Sequence, residues 1–193
     1  MINLRLIINY RDSNMAQEKT RKEKPRRSAK KKMSPQEINN FQNIKNKSQR
    51  FRIIKEMIKK SPPSLSQLMI EALADPCEEI REFIINFISQ QPDLHGEKLL
   101  LTYLNKPPWY RKTAILKIIA HRQDETLVEA ISELLNDPNV AVRCELAQTL
   151  GELATSLARQ LLSSLTTDKN PYVRRTAEKA LAKASTIRFT SPE

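Results

Sequence analysis

Arg81, Arg111, Arg143 and Arg174 stand 30, 32 and 31 residues apart in this chain of 193 residues. A period of this length constrains the fold more than any other feature. Each period must be one supersecondary unit that buries its apolar face only against its neighbours. The register holds on both sides of the arginines. The residue before each is Ile80, Tyr110, Val142 and Val173; twelve before stand Met69, Leu99, Ile131 and Leu162; three after stand Ile84, Ala114, Leu146 and Ala177; seven after stand Ile88, Ile118, Leu150 and Leu181. Every one of these columns is apolar.

Six residues before each arginine the column reads Asp75, Asn105, Asp137 and Asp168, followed closely by Pro76, Pro107, Pro138 and Pro171. Proline cannot continue a helix interior, and Asp and Asn bond local backbone, so each of these sites predicts a corner between two helices. The segments before the corners are LSQLMIEALA, EKLLLTYLN, TLVEAISELLN and LARQLLSSLT; those after are REFIINFI, RKTAILKIIA, RCELAQTLGEL and RRTAEKALAKA. Their apolar residues recur at i, i+3, i+4 and i+7, the helical period, and none alternates as a strand would. A weaker copy precedes the four. Ser34-Pro35-Gln36-Glu37 has capping-box spacing with proline at the first helical position, and Arg50 stands 31 before Arg81 with Ile38 and Ile53 in register. Its corner has Ile44 where the acid belongs, a departure expected of an end unit.

The strings DPCEEIR (75–81), DPNVAVR (137–143) and DKNPYVR (168–174), with NKPPWYR (105–111) as an Asn variant, resemble the D-x-x-x-x-V-R motif of HEAT repeats, in their short bacterial, phycobilin-lyase-like form. VRCELAQTLGEL continues as that family's second helix does. The resemblance covers about 34–184. It implies an all-α, right-handed α-solenoid of about five helix pairs over 34–187, with a disordered basic extension at 1–33 and a short disordered tail at 188–193. It also implies an internal ladder of hydrogen bonds between the acids Asp75, Asp137 and Asp168 and the arginines Arg81, Arg143 and Arg174, a structural role. Asn105 opposite Arg111 weakens one rung, and Lys106-Pro107-Pro108-Trp109 makes that corner the least regular. Trp109, the single tryptophan, reads as packing.

In such stacks the second helix lines the concave surface. With positions three, four and seven after each arginine taken as buried, positions two, five and nine are left on the opposite face. They are Phe83, Asn86 and Gln90; Thr113, Leu116 and Ala120; Glu145, Gln148 and Glu152; Thr176, Lys179 and Lys183. This mosaic suits a protein partner better than a polyanion, which favours a continuous positive stripe.

Several chemistries are excluded. Gly96 and Gly151 are the only glycines, 55 positions apart, so no glycine-rich phosphate loop can be written. Cys77 and Cys144 lie 67 apart with no C-x-x-C and no histidine at ligand spacing, which leaves a zinc site or disulfide framework without partners and fits a reducing, cytoplasmic setting. His95 and His121 fall in no catalytic motif. No cofactor, metal or catalytic residue is expected. No stretch reaches the ~18 apolar residues of a membrane span. The apolar start MINLRLIINY lacks a cleavage site, and Met15 begins a more ordinary N-terminus, so 1–14 reads as an extension.

The formal charge of +11 is uneven. Residues 1–60 carry net +13 and the remaining 133 carry net -2. Residues 17–32 hold nine basic side chains, Lys19, Arg21, Lys22, Lys24, Arg26, Arg27, Lys30, Lys31 and Lys32, against two acids and no apolar residue larger than Ala29. Such a segment cannot bury enough surface to fold alone, and its attraction to RNA, DNA or an acidic partner would be non-specific and salt-dependent. Lys55, Lys59 and Lys60 extend that charge into the first unit. The leading expectation is a non-enzymatic protein-interaction module or scaffold with a basic N-terminal arm. A nucleic-acid-binding HEAT-like protein is the alternative, and a bilin lyase or chaperone-like factor a lesser one.

Overall fold

A computed structural model describes residues 41–91 and 97–186, all within one compact unit. The basic arm, the capping box at Ser34, His95, Gly96 and the C-terminal tail lie outside them. A 3-10 turn at Phe41–Asn43 leads into helix α1 (Lys47–Lys60). Then come α2 (Leu65–Ala72), α3 (Glu78–Ser89), α4 (Glu97–Leu104), α5 (Trp109–Arg122), α6 (Val128–Ile131), α7 (Val140–Leu153), α8 (Ser156–Leu165) and α9 (Pro171–Thr186). Among the described residues there is no strand. Each helix pair folds back on itself, as α2 on α3, α4 on α5 and α8 on α9. The second helices pack in succession, α3 on α5, α5 on α7 and α7 on α9. The result is a stacked array of helix pairs with its core between two layers.

The second helices begin two or three residues before their arginines because the corner supplies their caps. The Oδ1 atoms of Asp75, Asp137 and Asp168 accept the N–H groups of Cys77, Asn139 and Asn170 at 2.7, 2.8 and 2.7 Å. Asn139 and Asn170 then accept the amides of Ala141 and Tyr172 at 2.8 and 2.9 Å, satisfying first-turn donors. The first helix of the fourth unit differs from the continuous helix expected over 126–136. Glu125–Leu127 and Ser132–Asn136 are 3-10, with one α turn between. The Ser132 hydroxyl and its amide both bond the Glu129 carbonyl, which tightens the chain at that point.

The apolar columns form the core. Ile80, Val142, Val173, Met69, Ile131, Leu162, Ile84, Leu146, Ala177, Ile88, Ile118 and Leu150 are fully buried, and Ala114 nearly so. Three positions depart. Leu100 replaces Leu99 in the core of the third unit, Tyr110 is half-buried, and Leu181 in the final pair is half-buried. Helices α1, α5 and α7 end on Ser61, Gln123 and Ala154 with φ of 44°, 56° and 49°, left-handed positions at which this glycine-poor chain places other residues.

Candidate functional site

The arginine and aspartate columns meet between units. Arg143 donates from Nε and Nη2 to both oxygens of Asp168 at 2.8 and 3.0 Å, and from Nη1 to the carbonyl of Asp137 at its own corner, 2.7 Å. Arg50 repeats this on Asp75 at 2.6 and 3.1 Å, with Nη1 on the Ile44 carbonyl. The guanidinium thus staples its own corner to the next one, and both pairs are almost dry. Arg143 holds the Asp168 carboxyl below the ordinary carboxylate range, against the opposing effect of burial.

Both pairs are separated by 25 residues, and that spacing decides which cation is used. Asp137 lies 25 beyond Lys112 and 26 beyond Arg111, and Lys112 takes it at 2.6 Å. Arg111 turns inward instead, onto the Pro107 carbonyl and over the Tyr103 ring, and burial lowers its affinity for the proton. Arg81 stands 24 before Asn105. Its guanidinium stacks on Tyr110, 4.7 Å from the ring centre, while its Nη1 keeps the Asp75 carbonyl. Arg174 bonds the corner carbonyls of Asp168 and Lys169. The expected ladder therefore runs through Arg50–Asp75, Lys112–Asp137 and Arg143–Asp168. Arg81 and Arg174 are held at their own corners and have no carboxylate among the described residues. Neither Arg50 nor Lys112 was anticipated as a rung; counting 25 residues back from Asp75 and from Asp137 finds them.

The second-helix face is a sequence of seams. Between α1 and α3, the Phe51 and Phe83 rings meet edge to face at 4.9 Å, with the Lys55 ammonium 4.3 Å from the first ring centre. Between α3 and α5, Lys117 donates to Glu82 at 2.6 Å. From α7, Glu145 faces the same ammonium. Burial pushes the Glu145 carboxyl up to about 7; Lys117 opposes that rise, and Glu152 and Glu82 add to it. Burial pulls the Lys117 ammonium down, but the Glu82 hydrogen bond and the charges of Glu82, Glu145 and Glu78 together outweigh it, and its affinity for the proton rises.

Asn86, Gln90, Gln148, Glu152, Lys179 and Lys183 are exposed, and Phe83, Thr113, Glu145 and Thr176 are half-buried. Leu116 and Ala120 are not on this face. Both are buried, because α7 lies against that edge of α5 and brings the Thr149 hydroxyl to the Leu116 carbonyl at 3.3 Å. Phe51, Glu82 and Lys117 belong to the face and were missed. They occupy positions one and six after their arginines, which a stripe counted from a single ideal helix assigns to the flank.

On the corner side, Trp109 is 47% exposed, not packed in the core, at the lip of a cleft of about 410 Å³ with Pro107, Pro138 and the Lys112–Asp137 pair. Cys77 and Cys144 are half-buried free thiols. Among the described residues no three His, Cys, Asp or Glu side chains are grouped to hold a metal ion, and no helix is long and apolar enough to cross a membrane.

Residues 96–182 match the family profile for HEAT repeats, which takes in the third to fifth units; the first and second follow the same columns ahead of it. A chain in the structure of the complex of CpcE and CpcF of phycocyanin lyase, from Nostoc sp. PCC7120, superposes with a TM-score of 0.50 at 17% identity, over 86% of this chain and 70% of that one. That likeness is one of fold. Among curated proteins none matches the sequence.

Proposed function

We propose that this HEAT-repeat chain is a non-enzymatic interaction module that binds a protein partner through its second-helix face, with the basic N-terminal arm adding contacts to an acidic partner or nucleic acid. One observation carries the reading. Successive seams of that face change from aromatic (Phe51–Phe83) to ionic (Glu82–Lys117, with Glu145) and then to the exposed Lys179 and Lys183. A varied surface of this kind selects a partner with matching side chains, whereas a polyanion asks for cations throughout.

Affinity capture with the full chain tests it. Arginines at the exposed positions Asn86 and Gln148 should abolish capture of specific partners while the helical circular dichroism and Tm stay as in the parent. Capture that survives both changes places the interface elsewhere. Binding of duplex DNA by the parent, lost in proportion to these second-helix substitutions and not on removal of the arm, favours the nucleic-acid alternative.

A further inference from the structure

We infer that the second-helix face takes a basic segment of the partner protein, with an apolar side chain of that segment against Phe51, Phe83 and Phe87 and its cations on Glu82, Glu145 and Glu152. The inference rests on the interface reading above and gives that interface its chemistry.

The aromatic end comes first. Phe51, Phe83 and Phe87 are all half-buried, on α1 and α3, in a protein whose other large apolar side chains are mostly enclosed. The Phe51–Phe83 pair already draws one ammonium, since Lys55 sits 4.3 and 6.0 Å from the two ring centres. Ring faces of this kind attract cations and apolar groups together.

The acidic stretch adjoins it. Glu82 is next to Phe83 in sequence and holds Lys117 at 2.6 Å. Glu145 faces that ammonium from α7, so Glu82 and Glu145 share one committed cation, and Glu152, exposed two turns further along the same helix, adds its charge beside Glu145. Burial and the neighbouring carboxylates together raise the energy of the ionised Glu145 side chain, and an incoming lysine or arginine would relieve that. An anionic segment would instead set its charge against Glu145 and Glu152. Lys179 and Lys183 on α9 bound the acidic stretch, so the complementary segment reads apolar, then basic, with no cation required beyond. An amphipathic helix laid along the second helices offers residues in that order.

The test uses the full chain and a short amphipathic helical peptide carrying one aromatic residue followed by lysines, beside twins in which glutamine or glutamate replaces the lysines. Fluorescence anisotropy should show the lysine peptide binding about tenfold more tightly than its glutamine twin and weakening with added salt. The double variant E145Q/E152Q, which leaves the Glu82–Lys117 pair intact, should bind it at least about fivefold more weakly with helical content unchanged. Equal binding of the lysine and glutamine peptides overturns the inference. So does an unchanged affinity in E145Q/E152Q, or a glutamate peptide that binds the parent as tightly as the lysine peptide does. If protein capture depends on Asn86 and Gln148 while no lysine peptide binds, this inference falls and the interface reading stands.

Discussion

At the Arg143–Asp168 rung, four hydrogen bonds meet on two side chains. The guanidinium holds the next corner's carboxylate and its own corner's carbonyl, and the carboxylate also caps its own turn. Removing one member of a nearly dry ion pair strands the other, so Arg143→Ala should cost about 3–5 kcal/mol in chemical denaturation, whereas Arg174→Ala should cost under about 1 kcal/mol, because Arg174 only supplements corner carbonyls. Because the folded-state Asp168 carboxyl lies below its unfolded value, the rung's contribution is present above the ordinary carboxylate range and is lost as pH falls through the folded pKa. Glu145 has the opposite sign. Its carboxyl titrates near 7 in the fold and near 4.5 when unfolded, so the unfolded chain releases its proton first and stability falls as pH rises between those values. Glu145→Gln should therefore raise stability by roughly 1–3 kcal/mol at pH 8 and change little near pH 4, as read from Tm across that range. A Tm gain of similar size at both ends would remove the titration from the explanation.

Among the elements, helix ends and one helix crossing are the points where small changes tell most. Ala154 ends α7 in the left-handed region, at φ 49°, where a Cβ is unfavourable. Ala154→Gly should stabilise the protein by about 1 kcal/mol in denaturant titration, with no change in m-value. Three residues earlier glycine is required. A Cβ on Gly151 would lie 2.7 Å from the Cβ of Ala180 and 3.2 Å from its Cα and carbonyl oxygen, so α7 and α9 would have to separate. Gly151→Ala gains up to about 1 kcal/mol of helix propensity, yet the overpacking penalty of about 1–3 kcal/mol should dominate and lower Tm. The helix pairs and their corners were legible from the columns, because each apolar position recurs in a period that only stacked pairs satisfy. The first helix of the fourth unit was less so. Its pattern is helical, and the tightening through Ser132 and Glu129 depends on a hydroxyl whose partner periodicity does not reveal.

For the whole molecule, the unequal unit lengths of 30, 32 and 31 residues decide which cation meets which acid. The ladder's partners follow a 25-residue offset, so the 32-residue unit shifts its acid to Lys112 and the 30-residue unit leaves Arg81 to Tyr110. Column alignment by arginine alone hides that shift. The exposed positions of the second-helix face, Asn86, Gln148, Glu152, Lys179 and Lys183, were legible, and the face was misread at Leu116 and at the seam residues Phe51, Glu82 and Lys117. Which flank of a helix a neighbour covers depends on how successive helices cross, and no periodicity within one helix contains that crossing. The proposed interface is tested most directly by placing a photo-crosslinking amino acid at Gln148 on α7 or at Gln160 on α8, both exposed, in the full chain and irradiating in its native cells. A partner on the second-helix face gives a discrete protein adduct from Gln148 and none from Gln160; an adduct from Gln160 with none from Gln148 would contradict it.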